Sequence, residues 1–99
     1  MTLKIQDYIK GDTAVSYDDG KLCYKLIEPE INKNETIILD FKGIDYVITA
    51  FLNPIIGDLI LQKGMDVMKL IQIRNANAKT IEKIKMVKEG ALLKREDME

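Results

Sequence analysis

Apolar residues are concentrated in the middle of the chain, where two runs predict the core of the fold. The first run, residues 36–41, is apolar from Ile37 on except at Asp40 and is typical of a buried strand. A short turn at residues 42–43 separates it from a second run, residues 44–48, which leads into a helical pattern that ends near Gly64. Because the first run is nearly continuous, we expect a central strand that is covered on both faces.

The segments on either side of these runs alternate between extended and helical patterns. Residues 3–6, 13–15 and 70–74 predict strands, and helical patterns begin after Ser16 and near Ala78. This order indicates crossover connections and therefore at least partly parallel pairing. We predict one α/β domain over residues 1–99, with a mostly parallel or mixed sheet of about four strands and three to four helices.

Capping residues and prolines predict where the helices begin and end. Ser16, followed three residues later by Asp19, resembles a capping box. Pro29 is expected to end or kink the first long helix, with a further turn that extends the apolar face to Ile31 as the alternative. Asn53, followed by Pro54, predicts an N-cap and the start of the next helix. The final helix is expected to weaken or end at Gly90. Its inner face is predicted to consist of Ile81, Ile84, Val87 and Ala91.

The composition narrows the function classes. Fifteen basic and sixteen acidic residues argue against a dedicated nucleic-acid binder. The absence of histidine excludes a Cys–His zinc site and a Ser–His–Asp triad, and no carboxylate spacing compels a metal site. The one cysteine, Cys23, excludes an intrachain disulfide and is expected to be a buried apolar residue. With no apparent signal peptide and no run long enough to span a bilayer, the chain is expected to be cytoplasmic.

The region around the turn also carries a family resemblance. Asp40, Phe41 and Gly43 match the Asp-Phe-x-Gly type turn that follows a strand in STAS domains, which occur in anti-sigma-factor antagonists and sulfate transporter tails. The chain resembles still more closely a bacterial STAS-like domain family of unknown function. In that family the next loop is rich in Thr and Ser and is followed by Phe, as at Thr49 and Phe51. The resemblance covers most of the chain.

The resemblance implies a regulatory module that binds a protein partner and has no enzymatic activity or cofactor. The partner it suggests is a GHKL-type, histidine-kinase-like ATPase regulator, and phosphorylation of the first loop hydroxyl, here Thr49, would switch the complex off. Two neighbours depart from the pattern, because Ile48 replaces the loop acid and Ala50 replaces the second hydroxyl. Constitutive binding therefore stays open as an alternative.

Each candidate residue also has a structural interpretation. Thr49 can cap the turn that enters the helix, and Asp40 can accept backbone N–H groups around Gly43. Asn53 fits an N-cap better than a recognition residue. Phe51 fits either the core or an exposed interface anchor.

The leading hypothesis is a monomer or weak homodimer that binds its partner through one loop and the exposed side of the predicted helix 54–63. The loop residues are Thr49, Ala50, Phe51, Leu52 and Asn53. The alternative is a self-associating module of a larger complex, without phosphorylation control, that uses Phe51 or the Met-rich segment 65–68. A small-molecule binder or enzyme is a third, weaker hypothesis, because the chain has no histidine and no Gly-rich phosphate loop.

Overall fold

The computed structural model describes residues 1–98, with side chains through Glu96. It contains five strands, four α-helices, two 3₁₀ segments and one π-helical segment in that range. In chain order they are β1 (Thr2–Lys4), a 3₁₀ segment (Ile5–Tyr8), β2 (Thr13–Ala14), α1 (Tyr17–Asn32), β3 (Ile37–Asp40), β4 (Tyr46–Val47), α2 (Thr49–Leu52), a π-helical segment (Asn53–Gly57), α3 (Asp58–Lys63), a 3₁₀ segment (Met65–Leu70), β5 (Ile71–Arg74) and α4 (Ala78–Met98).

All strand pairs are parallel, which confirms the predicted α/β class and the crossover connections. The main sheet has the order β1-β3-β5, and Leu39 in its central strand pairs with Leu3 and Ile73. The strands β2 and β4 form a separate two-stranded sheet. The strand order advances in one direction, and right-handed crossovers of this kind place the connecting helices on the same face of the sheet.

The prediction that β3 is covered on both faces is therefore wrong. Ile37 and Leu39 are buried on the helical side, whereas Ile38 and Asp40 on the opposite side are only half-buried. The opposite face has no helical layer because the strand order never reverses, and its other positions carry polar residues. Open α/β sheets usually bind ligands in the crevice that a reversal of strand order creates. Within residues 1–98 the order β1-β3-β5 has no reversal, so the main sheet has no crevice of this kind.

Helix α1 begins as predicted and continues through Pro29 to Asn32. The Asp19 backbone N–H donates to Ser16 Oγ at 3.3 Å, which satisfies one free group of the first turn. Pro29 lies inside the helix, so the helix does not end there, and the alternative of a further turn that includes Ile31 is the correct one. It lies in the last turn, and the continuation buries Ile31 against the core, which offsets the lost hydrogen bond.

The helical stretch from Thr49 to Lys63 is continuous, and we call it the central helix. Its N-cap position is Ile48, so the prediction that Asn53 caps it is wrong. The Asn53 N–H already donates within the helix, to Thr49 O. Pro54 cannot donate in the same way, and the helix widens here into the π-helical segment. The predicted stop is confirmed, because Gly64 has φ +89° directly after Lys63.

Helix α4 begins at Ala78, in agreement with the predicted start, and Asn77 Oδ1 accepts from the Thr80 N–H at 2.9 Å. The helix passes through Gly90 without a break, so it does not end there. Its inner face includes Ile84, Val87 and Ala91 as predicted. Ile81 was also predicted to face inward, but it is 42% exposed.

The central helix is packed between α1 and α4, and the buried residues of all three helices join the inner face of the main sheet in one core. Cys23 is fully buried there, as predicted. None of the helices within residues 1–98 combines the length and apolar character that crossing a membrane requires.

Candidate functional site

Thr49 is the first residue of the central helix, and only Ile48 separates it from strand β4. Ile48 is extended, with φ −113°, and its N–H donates to Ala14 O of the neighbouring strand. The end of β4 is held from the other side by Lys83 of α4. Lys83 Nζ donates to Val47 O at 2.5 Å and lies 4.1 Å from the centre of the Tyr46 ring. The position of Thr49 is therefore fixed by both the small sheet and α4.

A groove of about 260 Å³ runs along the central helix and α4, starting at Thr49. We call it the Thr49 groove. It exists because small residues occupy the facing positions of the two helices, where larger side chains would close it. The central helix contributes Thr49, Asn53, Gly57, Asp58 and Leu61, and α4 contributes Met86, Val87, Gly90, Ala91 and Lys94.

The groove combines an apolar surface with a few polar groups. Met86 is 62% exposed and contributes an apolar side chain to the wall of the groove. Asp58 is half-buried, and burial raises the pKa of its carboxyl, while Lys21 and Lys94 act in the opposite direction. Asn53 is exposed. Such a surface suits binding, because the apolar area gives affinity and the polar groups fix the orientation of a ligand.

The structure brings together two of the five predicted partner-binding residues, Thr49 and Asn53. Phe51 and Leu52 are fully buried, so neither side chain can contact a partner in this conformation, which corrects their assignment. They point away from the groove because the segment is helical, and residues three and four apart share a face. The core interpretation of Phe51 is the correct one. Ala50 is half-buried and lies outside the groove.

The predicted contact surface on residues 54–63 is also smaller than expected. Residues 54–57, 59 and 60 are buried because α1 and α4 pack on both sides of the central helix. Met86, Gly90 and Lys94 form the opposite wall, and none of them was predicted from the sequence. The glycine was the available signal, since a glycine inside a helix often marks a site where space is needed.

Asp40 and Gly43 form a structural turn at the other end of the two predicted runs. The Lys42 N–H donates to Asp40 Oδ1 at 3.0 Å, and Asn75 Nδ2 donates to the same oxygen at 2.8 Å. These hydrogen bonds hold the pKa of Asp40 below its usual value, and the one from Asn75 has the larger effect. Gly43 has φ +82°, and the Ile44 N–H closes the turn on Phe41 O at 3.0 Å.

The Thr49 hydroxyl makes no hydrogen bond to the residues that the structure describes, so the expectation that it caps the turn has no support in the geometry. Within residues 1–98 no group of three or more Asp, Glu or Cys side chains is placed to hold a metal ion.

Comparison with known proteins gives one match. The model of a family described as a STAS-like domain of unknown function (DUF4325) matches residues 19–80. The matched segment includes most of α1, the turn at Asp40, the whole central helix and β5. Neither the curated proteins nor the solved structures contain a significant match to the chain.

Proposed function

Since the chain belongs to the family of STAS-like domains of unknown function, we propose that it is a non-enzymatic module that binds a regulatory protein partner over the Thr49 groove. The observation that carries the proposal is the groove itself. It begins at the one position where STAS antagonists carry their switch hydroxyl, and it presents an exposed methionine beside that position. Methionine side chains adapt well to a partner surface.

The partner class follows from the resemblance to anti-sigma-factor antagonists. A histidine-kinase-like ATPase of the GHKL type would dock on the groove and phosphorylate Thr49. The half-buried Thr49 hydroxyl has no partner among the described residues and is therefore available to a kinase. A phosphate there adds about −1.5 to −2 charges at the mouth of the groove. Asp58 already places a carboxyl in the same groove, so the added charge would weaken the binding of an acidic or apolar partner surface.

Self-association is the second candidate from the sequence, and the structure favours it less. Phe51, which would anchor such a contact, is fully buried. In the Met-rich segment Val67 is buried and Met68 is half-buried, which leaves Met65 as the exposed apolar residue. One exposed methionine is a small surface for a stable interface, which normally buries about 800 Å² on each partner.

The test is a quantitative pulldown from cells of the source organism with tagged protein, followed by mass spectrometry. Four baits are compared: wild type, Thr49→Glu, Thr49→Val and Met86→Glu. Thr36→Glu is the matched control, because Thr36 is exposed and lies before β3, away from the groove. Circular dichroism of each purified bait confirms that it is folded.

We expect an ATPase-type partner with wild type, with Thr49→Val and with the control, and at least about tenfold less of it with Thr49→Glu and Met86→Glu. Phosphate on Thr49 of the wild-type bait would support the switch. A partner that ignores both groove variants would refute the groove as the docking surface. A partner lost only with Met86→Glu, and a Thr49 that is never phosphorylated, would leave constitutive binding and remove phosphorylation control.

A further inference from the structure

A second candidate surface lies at the edge of the main sheet, on strand β5. This strand pairs only with β3, so its outer side has no neighbouring strand within residues 1–98. The Phe41 N–H donates to Arg74 O at 2.9 Å, which shows that the even-numbered residues of β5 face β3. Because backbone groups alternate along a strand, Ile71 and Ile73 direct their N–H and C=O groups outward.

Part of this outer edge is unpaired. The Ile71 N–H donates to Met68 O, which ends the preceding 3₁₀ segment. The Ile73 N–H and C=O and the Ile71 C=O have no hydrogen-bond partner among the described residues. Natural proteins usually protect such edges with charged side chains or a covering loop. Here the side chains of Gln72 and Arg74 belong to the opposite face of the sheet and do not cover the edge.

Next to this edge lies an apolar groove of about 310 Å³ between β5 and α4, which we call the β5 groove. Its apolar surface comes from Ile73, Ala76, Ile81 and Ile84. Ile81 is the residue that was predicted to be buried and is 42% exposed instead. A strand added beside β5 would place alternate side chains next to Ile73 and cover Ile81.

The rim of the β5 groove carries positive charge. Lys85 and Lys88 line it, one helical turn apart on α4. Neither has an ion-pair partner among the side chains that the structure describes. Glu89 lines a neighbouring depression that includes both lysines, and Glu82 lies three residues before Lys85 on α4, but neither of these two described carboxylates forms an ion pair with them. Two unpaired lysines favour an acidic ligand.

From these features we infer that the β5 edge binds an extended peptide segment of a partner protein, in which apolar residues alternate with acidic ones. The backbone of the segment pairs with Ile73, its apolar side chains enter the β5 groove, and its carboxylates pair with Lys85 and Lys88. A second copy of this chain fits less well. Antiparallel pairing of two β5 strands in one sheet places both α4 helices on the same face, with the lysines of the two copies facing each other.

This inference is independent of the Thr49 groove. The probe is a ten-residue peptide of alternating valine and glutamate, and the control peptide replaces each glutamate by lysine. Binding is followed from the backbone amide signals of ¹⁵N-labelled protein. The key variant combines Lys85→Glu with Lys88→Glu, and Lys79→Glu is its matched control, a charge reversal at an exposed position of the same helix that lines neither groove. Ile81→Glu tests the apolar surface without loss of a buried residue.

We expect the acidic peptide to shift the amides of Ile73 and Ala76 in wild type and in Lys79→Glu, and the basic peptide to have no effect. The double variant should bind the acidic peptide at least about tenfold more weakly and should prefer the basic one. Ile81→Glu should weaken binding of the acidic peptide.

Three results would overturn the inference. The first is equal binding of both peptides, or no shift up to about 1 mM peptide, the scale of very weak binding. The second is a set of shifts centred on Thr49 and Asn53 in place of Ile73. The third is movement of the Ile73 amide with protein concentration alone, which would assign the edge to a second copy of the chain.

Discussion

Gly20 tests the packing of the central helix, because α1 crosses it there at the closest distance that the backbones allow. A Cβ atom added at Gly20 would lie 2.3 Å from Phe51 O and 2.6 Å from Pro54 Cγ. A backbone carbonyl and a proline ring cannot move aside by changing a rotamer. The Gly20→Ala variant can therefore be accommodated only if one helix shifts relative to the other.

Two opposing contributions, overpacking and helix propensity, determine how much Gly20→Ala lowers the free energy of unfolding. Overpacking a core costs about 1–3 kcal/mol, and the rigid obstacles at Gly20 place this site at about 3. Replacing a helical glycine by alanine returns about 1 kcal/mol through helix propensity. We therefore expect Gly20→Ala to lower the free energy of unfolding by about 2 kcal/mol, which corresponds to a fall in Tm of about 8–16 °C for a domain of this size.

The matched control is Gly90→Ala in α4, because nothing lies within 4 Å of a Cβ atom at that position. It should gain the propensity term without the clash and raise stability by about 1 kcal/mol. Urea denaturation followed by circular dichroism measures both variants against wild type. If Gly20→Ala were as stable as Gly90→Ala, the close crossing of α1 and the central helix would be refuted.

Three further predictions concern single side chains. Lys83→Met should lower the free energy of unfolding in urea by about 2 kcal/mol, because Val47 O loses a charged hydrogen-bond donor. Lys79→Met, at an exposed position of the same helix, should change it little. Burial raises the pKa of Cys23 from 9.0 to about 11, so the free energy of unfolding should fall as pH rises from 9 to 11, and this fall should be smaller in Cys23→Ala. The pKa of Asp40 lies below its usual 3.8, so its contribution to stability should be lost as pH falls below 3.8, and acid titration of Asp40→Asn should lack that loss.

Local signals in the sequence were enough to place most of the strands and helices. The strand pattern before Asp40, the cap at Ser16 and the stop at Gly64 each act through a few neighbouring residues, and each is confirmed. Predictions from prolines failed where packing opposed local preference. Pro29 and Pro54 both lie within helices, because continuing the helix buries apolar residues on the far side of each proline.

The candidate site was harder to predict, because it depends on how two helices are rotated against each other. The resemblance placed Thr49 in a loop that leads into a helix. In the structure residues 49–53 are already helical, and Thr49 is the first residue of the helix. Once residues 49–53 are helical, Phe51 turns into the core, and Asn53 joins Thr49 one turn later on the same face. The second wall comes from residues 86–94 of α4, far along the chain from Thr49 and beyond the segment that matches the family model.

The same rotation links the two proposed surfaces. α4 contributes Met86 and Lys94 to the Thr49 groove, and Ile81, Lys85 and Lys88 to the β5 groove. A helix that buries a single narrow stripe leaves a surface exposed on each side of that stripe. In α4 each of these two surfaces forms one wall of a different groove. All of the α4 residues named here follow residue 80, where the family match ends, so α4 is where we expect members of the family to differ in the partners they bind. An exchange of α4 surface residues between two members, scored with the pulldown and the peptide titration, would test this. Partner choice that follows the residues of α4 supports the idea, and partner choice that follows residues 19–80 refutes it.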